Sequence, residues 1–166
     1  KIDDLQSELP IIQGGMGIGI SGSNLAAAVA EEGAIGVISS VGLCALNTDS
    51  SMDNKTASKE TLKKEIRRAK EMTKGIIGVN IMVAVSDFDD LVNIAVNERA
   101  DLIIIGGGLP LKNPVKKLGN IKTKILLKVS SARAANLIFK LWDKNHSNVP
   151  DGVVVEGPLA GGHLGF

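Results

Sequence analysis

Gly161-Gly162-His163 is the sharpest chemical signal in this chain. Two residues without side chains let the backbone lie flat against a planar ligand. The histidine leaves the same turn, and a neutral imidazole can take or give a proton near pH 7. A glycine-rich turn with an incidental surface histidine is the plain alternative. Its place after an aliphatic run ending at Glu156-Gly157 favours chemistry, and His163 is the expected catalytic residue. The other histidine, His146, sits in the polar helix exit Asp143-Lys-Asn-His-Ser-Asn148, where solvent accounts for it. The two histidines lie far apart and neither has a cysteine beside it, so no metal site is expected.

Other groups could hold a ligand. Gln13-Gly14-Gly15-Met16-Gly17 follows the first aliphatic run. Main-chain N–H groups bared by such a turn can bond a ring carbonyl or nitrogen, and Met16 offers a polarizable contact. Asn80 ends the run Gly78-Val-Asn80, and its amide can both donate and accept toward a heterocycle edge, or satisfy a loop backbone instead. Lys128 ends Ile125-Leu-Leu-Lys128 and either stabilises negative charge on a reduced ring or is a solvated strand end. Glu156, behind a largely aliphatic run, needs a hydrogen-bonding partner if buried; it binds a ring N–H or anchors the loop. Gly17-Ile-Gly19-Ile-Ser-Gly22 matches the dinucleotide spacing G-x-G-x-x-G, but no acidic residue ends the next run at Ser39-Ser40 to hold a ribose, so the match is weak.

These residues must be carried by something regular. The chain alternates aliphatic runs with helix-like stretches. Strands are expected at Pro10–Gln13, Ala34–Ser39, Ile76–Met82, Leu102–Ile105, Lys124–Val129 and Gly152–Glu156. Helices are expected at Asn24–Glu32, Lys59–Lys74, about Asp87–Arg99, a short one near Asn113–Leu118, and Ala132–Lys144. Asn47–Thr61 is polar and patternless and reads as a mobile loop or a lid. Strand-then-helix repetition implies parallel strands with right-handed crossovers. An open doubly wound sheet and a closed (β/α)8 barrel both fit that rhythm. Gly14–Met16, Asn80, Gly106–Gly108, Lys128 and Glu156-Gly157 all fall at C-terminal strand ends, the rim where barrel enzymes build sites, and this favours the barrel. About six β/α units are present. Residues 1–166 are therefore expected to be the N-terminal portion of a single TIM-barrel domain.

Composition narrows the class further. The net charge of +1 gives no electrostatic case for nucleic acid or an anionic membrane. No apolar run approaches the ~18 residues of a membrane span. Only three Phe, one Trp and no Tyr are present, so the core must be aliphatic, as in a sheet wrapped by helices. Cys44 is the one cysteine, which excludes an internal disulfide and fits a reducing, cytoplasmic setting.

Pro10-Ile-Ile-Gln-Gly-Gly-Met-Gly17, Gly78-Val-Asn80 and Glu156-Gly-Pro-Leu-Ala-Gly-Gly-His-Leu-Gly165 resemble the nitronate monooxygenase family, formerly 2-nitropropane dioxygenases, which includes the flavin-type enoyl-ACP reductases. The resemblance runs from about Leu9 to Phe166. It implies an FMN-dependent (β/α)8 barrel, with FMN contacted by Gly15, Met16, Gly17, Asn80, Glu156, Gly161 and Gly162, and more loosely by Lys128. His163 matches the catalytic histidine. The implied reaction oxidises an alkyl nitronate with O2 to a carbonyl compound and nitrite. Glu156 stands where many nitronate monooxygenases carry Gln, and this also resembles the NAD(P)H-dependent enoyl-ACP reductases. The expected partners are a small-molecule substrate (nitronate or enoyl thioester), O2 or NAD(P)H, and a second copy of the chain in a homodimer. A reading from another class is an inactive fragment or a non-enzymatic binding module. The phosphate of such barrels commonly sits on the loops after strands seven and eight, so this chain alone is expected to bind FMN weakly.

Overall fold

The structure is a computed structural model and describes residues 1–47, 51–115 and 121–162, with only the backbone of His146. Five parallel strands form one sheet: β1 (Ile35–Ser39), β2 (Ile76–Met82), β3 (Leu102–Gly106), β4 (Lys124–Val129) and β5 (Gly152–Val155). Their order in the sheet is their order in the chain, β1-β2-β3-β4-β5. Such an order has no reversal and hence no switch point of the doubly wound kind. Helix α1 (Ser23–Glu31) precedes β1, α2 (Asn54–Met72) joins β1 to β2, α3 (Phe88–Asn97) joins β2 to β3, and α4 (Ala132–His146) joins β4 to β5.

Three expectations need correction. Pro10–Gln13 is not a sixth strand but a stub beside β1, with a single parallel bridge from Ile12 to Ile35. Pro10 brings no N–H, and beyond Gln13 a side chain replaces the ladder: the Gln13 amide donates to Val37 O at 3.1 Å and accepts from Val37 N at 3.3 Å. Asn47–Thr61 is not one patternless loop, because α2 already begins at Asn54. Its capping residue, Asp53, accepts from Lys55 N at 2.9 Å and Thr56 N at 3.1 Å. The short helix expected near Asn113–Leu118 is not formed at 113–115, which lie in a turn, and its remainder lies outside the described residues.

Period-two alternation sorts the strand residues onto two faces. Ile38, Ile77, Val79, Ile81, Ile103, Ile105, Ile125 and Leu127 pack beneath the helices on Leu62, Ile66, Leu91, Val92, Ile138 and Trp142. Trp142 is fully buried and donates its indole N–H to Pro110 O at 2.8 Å, which answers its one polar atom. On the opposite face Ile35, Val37, Leu102, Ile104 and Leu126 form a second apolar layer, joined by Ile2, Leu5, Ile76 and Val154. The N-terminal turn closes this layer from below, where Lys124 pairs with Asp3 at 2.6 Å and Asp4 at 2.7 Å.

Helix α1 lies almost on the backbone of the sheet, which its small residues Ala26, Ala27 and Ala30 permit. A Cβ on Gly36 would stand 1.9 Å from Ala26 O, and one on Gly75 would stand 2.3 Å from Ala30 O. Backbone cannot yield there as a flexible side chain could. Gly36→Ala is therefore expected to destabilise the fold by about 3 kcal/mol, the upper part of the usual overpacking range. Urea unfolding would show it as a lower midpoint at an unchanged slope, and an unchanged midpoint would contradict the packing.

Asp53 gives the fold a pH dependence. Its carboxyl is held below the ordinary aspartate value of 3.8 by the Thr56 hydroxyl first and then by the Thr56 N–H. A depressed folded value means that the ionised cap contributes stability above 3.8 and loses it as pH falls through the folded value. Asp53→Asn keeps a capping oxygen without the charge. Its melting temperature should lie below that of the wild type near neutrality and converge with it in acid. A constant gap across that range would exclude the titration.

Candidate active site

The C-terminal ends of the strands gather most of the residues singled out by their chemistry. The loop after the stub folds back over β1. Ser21 is fully buried and acts as its tether: its Oγ accepts from Met16 N at 2.9 Å and from Gln13 Nε2 at 2.9 Å, and donates to Gly14 O at 3.2 Å. Ser21 O in turn accepts from Ser39 N at 2.9 Å, which ties the loop to the end of β1. Ile18 sits in the left-handed region with φ 53°, an uncommon posture for a β-branched residue, and is held there by its N–H donating to Val41 O at 2.8 Å. Met16, Ile18 and Ile20 are consequently exposed at the mouth, with Leu46 and Met52.

Gly15 and Asn80 meet. A Cβ on Gly15 would fall 2.6 Å from Asn80 Cβ and 3.1 Å from Nδ2, so only glycine lets this loop press against the asparagine. Asn80 stands level with Ser39 across the β1–β2 ladder, and its main-chain oxygen accepts from Ser40 N at 3.0 Å. Its side-chain amide is half-buried. Gly17 is also close-packed, with Val41 O 3.3 Å from its Cβ position.

Lys128 and Glu156 form a second pair, with Nζ 2.7 Å from Oε1. Strand register explains it. Lys128 is level with Val154, and Glu156 lies two residues further along, on the same face. The lysine stem crosses bare Gly106, whose Cβ position is 3.2 Å from Lys128 Cδ. The Glu156 side chain is only 4% exposed and that of Lys128 26%, so this is a largely desolvated pair. By alternation Ser39, Asn80, Lys128 and Glu156 all stand above the second apolar layer and give it a polar end.

Among the described residues, nothing lies within 4 Å of a Cβ position on Gly161 or Gly162, nor on Gly14 or Gly157. Gly162 also has φ 80°, which only glycine adopts freely. His163 lies outside the described residues. The structure thus brings together Gly15 with Asn80 and Lys128 with Glu156. Sequence reasoning missed Ser21 and Ser39, since an isolated serine carries no signal of the contacts it will make. It also gave Gln13 no function of its own.

The dinucleotide spacing at Gly17–Gly22 has a different use. The N-terminus of α1 already receives a carboxylate, because Ser23 N donates to Glu65 Oε2. A Cβ on Gly22 would meet that same oxygen at 2.9 Å. A phosphate would have to displace Glu65 from the place the motif reserves for it.

Bare backbone at Gly14, next to the Gly15–Asn80 contact, and an Asn80 side-chain amide with no hydrogen-bond partner among the described residues are chemically suited to the edge of a planar heterocycle. The comparisons with known proteins bear on the family and the fold. The nitronate monooxygenase family model matches residues 1–166, and the chain belongs to that family. Among solved structures it is similar to FabK from Thermotoga maritima, with TM-score 0.73 and 29% identity over 96% of this chain and 44% of that one. A mutant of the same FabK gives TM-score 0.73 and 30% identity over 96% and 46%. Nitroalkane oxidase from Streptomyces ansochromogenes gives TM-score 0.73 and 19% identity over 96% and 49%, a likeness of fold. The chain spans less than half the length of each of these structures. No curated protein matches it. No helix among the described residues is long and apolar enough to cross a membrane.

Proposed function

We propose that this chain carries the ring-binding face of an FMN-dependent oxidoreductase built on a (β/α)8 barrel. The single observation that carries the reading is the close approach of Gly15 to Asn80 at the C-terminal end of β2, a contact that only glycine permits. The sequential parallel sheet, with its stub beside β1, supports the barrel. FMN bound at this rim would supply reversible electron transfer to and from the substrate. The Asn80 amide would hold the ring edge, and the backbone from Gly14 to Gly17 would flank it. Gly161 and Gly162 would admit the ring close to main chain. His163, the next residue, would hold the substrate or take its proton.

Family membership supports oxidation of an alkyl nitronate with O2 to a carbonyl compound and nitrite. A second reading, NAD(P)H-dependent reduction of an enoyl thioester, is favoured by Glu156 itself and by the 29% identity to FabK. One pair of assays separates them. The first reaction consumes O2 with ethyl nitronate, and the second oxidises NADH with crotonyl thioester. Purified full-length protein that does neither, with flavin bound, would contradict both.

A further inference from the structure

We infer that Ser21 is a positioning residue of this rim: it fixes the loop Gly14–Gly17 so that the N–H groups of Gly15 and Gly17 are left to donate to the flavin ring. This rests on reading the rim as the flavin site, and it deepens that reading by naming what sets the ring's hydrogen bonds and hence its reduction potential. Ser21 holds Met16 on both sides. Its Oγ accepts from Met16 N at 2.9 Å, and its own N–H donates to Met16 O at 3.0 Å. The same Oγ accepts from Gln13 Nε2 at 2.9 Å and donates to Gly14 O at 3.2 Å, which fills the capacity of a hydroxyl. Ser21 O accepts from Ser39 N at 2.9 Å, so the clamp is anchored on the end of β1. Ser21 is fully buried, and a fully satisfied hydroxyl without access to water specifies one conformation for the chain it binds.

The clamp divides the donors of the loop. Met16 N is answered by Ser21, and Ile18 N by Val41 O at 2.8 Å. The strained Ile18 backbone, with φ 53°, is the second anchor, and bare Gly42 makes room for it, since a Cβ there would stand 3.2 Å from Ile18 N. The N–H groups of Gly15 and Gly17 have no acceptor among the described residues. Both belong to glycines, so no side chain of their own shields them. Gly15 also lies against the Asn80 side chain, whose amide has no hydrogen-bond partner among the described residues. Donors fixed in place beforehand need no reorganisation when an acceptor arrives, and they favour negative charge that develops on it. The chemistry they suit is a ring edge of carbonyl and imine acceptors that becomes electron-rich on reduction.

Amide hydrogen exchange on the full-length wild type, stripped of flavin and then refilled with FMN, is the first test. In the stripped protein Met16 and Ile18 should exchange about tenfold or more slowly than Gly15 and Gly17, each taken relative to an unstructured peptide. FMN should then slow Gly15 and Gly17 by about tenfold or more. Two variants follow. Ser21→Ala should bring Met16 to the exchange rate of its neighbours and lower the midpoint potential of bound FMN by about 30 mV, a tenfold change in a two-electron equilibrium. Gln13→Met loses its bonds to Ser21 and Val37 but leaves Met16 on the hydroxyl. It should lower the melting temperature, as any loosened fold does, and leave the potential unchanged. Equal exchange at Met16 and Gly15 in the stripped wild type, a wild-type potential in Ser21→Ala, or a potential that moves as far in Gln13→Met would each overturn the positioning role. The wild-type exchange pattern decides the matter even if a variant fails to fold. A wild type that takes up no FMN defeats the proposed function and the positioning together. One that binds FMN while Gly15 and Gly17 exchange as before defeats the positioning alone.

Discussion

Lys128→Met is expected to lower the unfolding free energy by about 3 kcal/mol. Methionine keeps most of the stem that lies over Gly106, so packing changes little. What disappears is the ammonium 2.7 Å from a carboxylate whose side chain is 4% exposed. Removing one partner of a buried pair typically costs about 3–5 kcal/mol, because the remaining charge has already left water. Lys128 is 26% exposed, which places the expectation at the lower end. The double variant Lys128→Met/Glu156→Leu should recover much of the loss, since apolar replacement of a whole pair is often near neutral. Chemical unfolding of the three proteins measures this directly. A single variant as stable as the wild type would show that the pair is loosely held in solution.

The second large effect falls on activity. His163→Ala is expected to lower kcat by about 10²–10⁴-fold, the span usual for a positioned proton-transfer group. The bare residues before it explain why no neighbouring side chain should substitute. Gly157, Gly161 and Gly162 contribute none, and Pro158, Leu159 and Ala160 carry no titratable group. Flavin absorbance should persist, because the ring contacts are assigned to Gly15, Asn80 and the glycine backbone. A variant with kcat within a few-fold of the wild type would remove His163 from the mechanism.

Strands β1 and β3 were legible because they are buried on both faces and so read as aliphatic runs, Ile103–Ile105 above all, whereas β5 has Val153 and Val155 exposed. Pro10–Gln13 has the same composition, yet the chain leaves the ladder at Gly14 and the Gln13 side chain, which no periodicity describes, completes it. The first turns of α2 were hidden for the opposite reason. From Asn54 to Glu60 only Ala57 is buried, so a helix lying mostly in solvent had no stripe to show. Gly36 read as an ordinary strand residue, since nothing local announces that the backbone of α1 rests on it. At the site, residue type pointed to Asn80, Lys128 and Glu156 one at a time. Their pairing came from strand register, a long-range property that puts Glu156 beside Lys128 and Asn80 beneath Gly15. The Gly17–Gly22 match misled for a related reason: spacing shows that a turn can open onto a helix end, but not that Glu65 already occupies it.

The visible absorption spectrum of freshly purified full-length protein tests the central claim most directly. The expected result is a yellow protein with flavin bands that bleach on reduction and return in air. A colourless protein that gains no such bands when FMN is added in excess would contradict it.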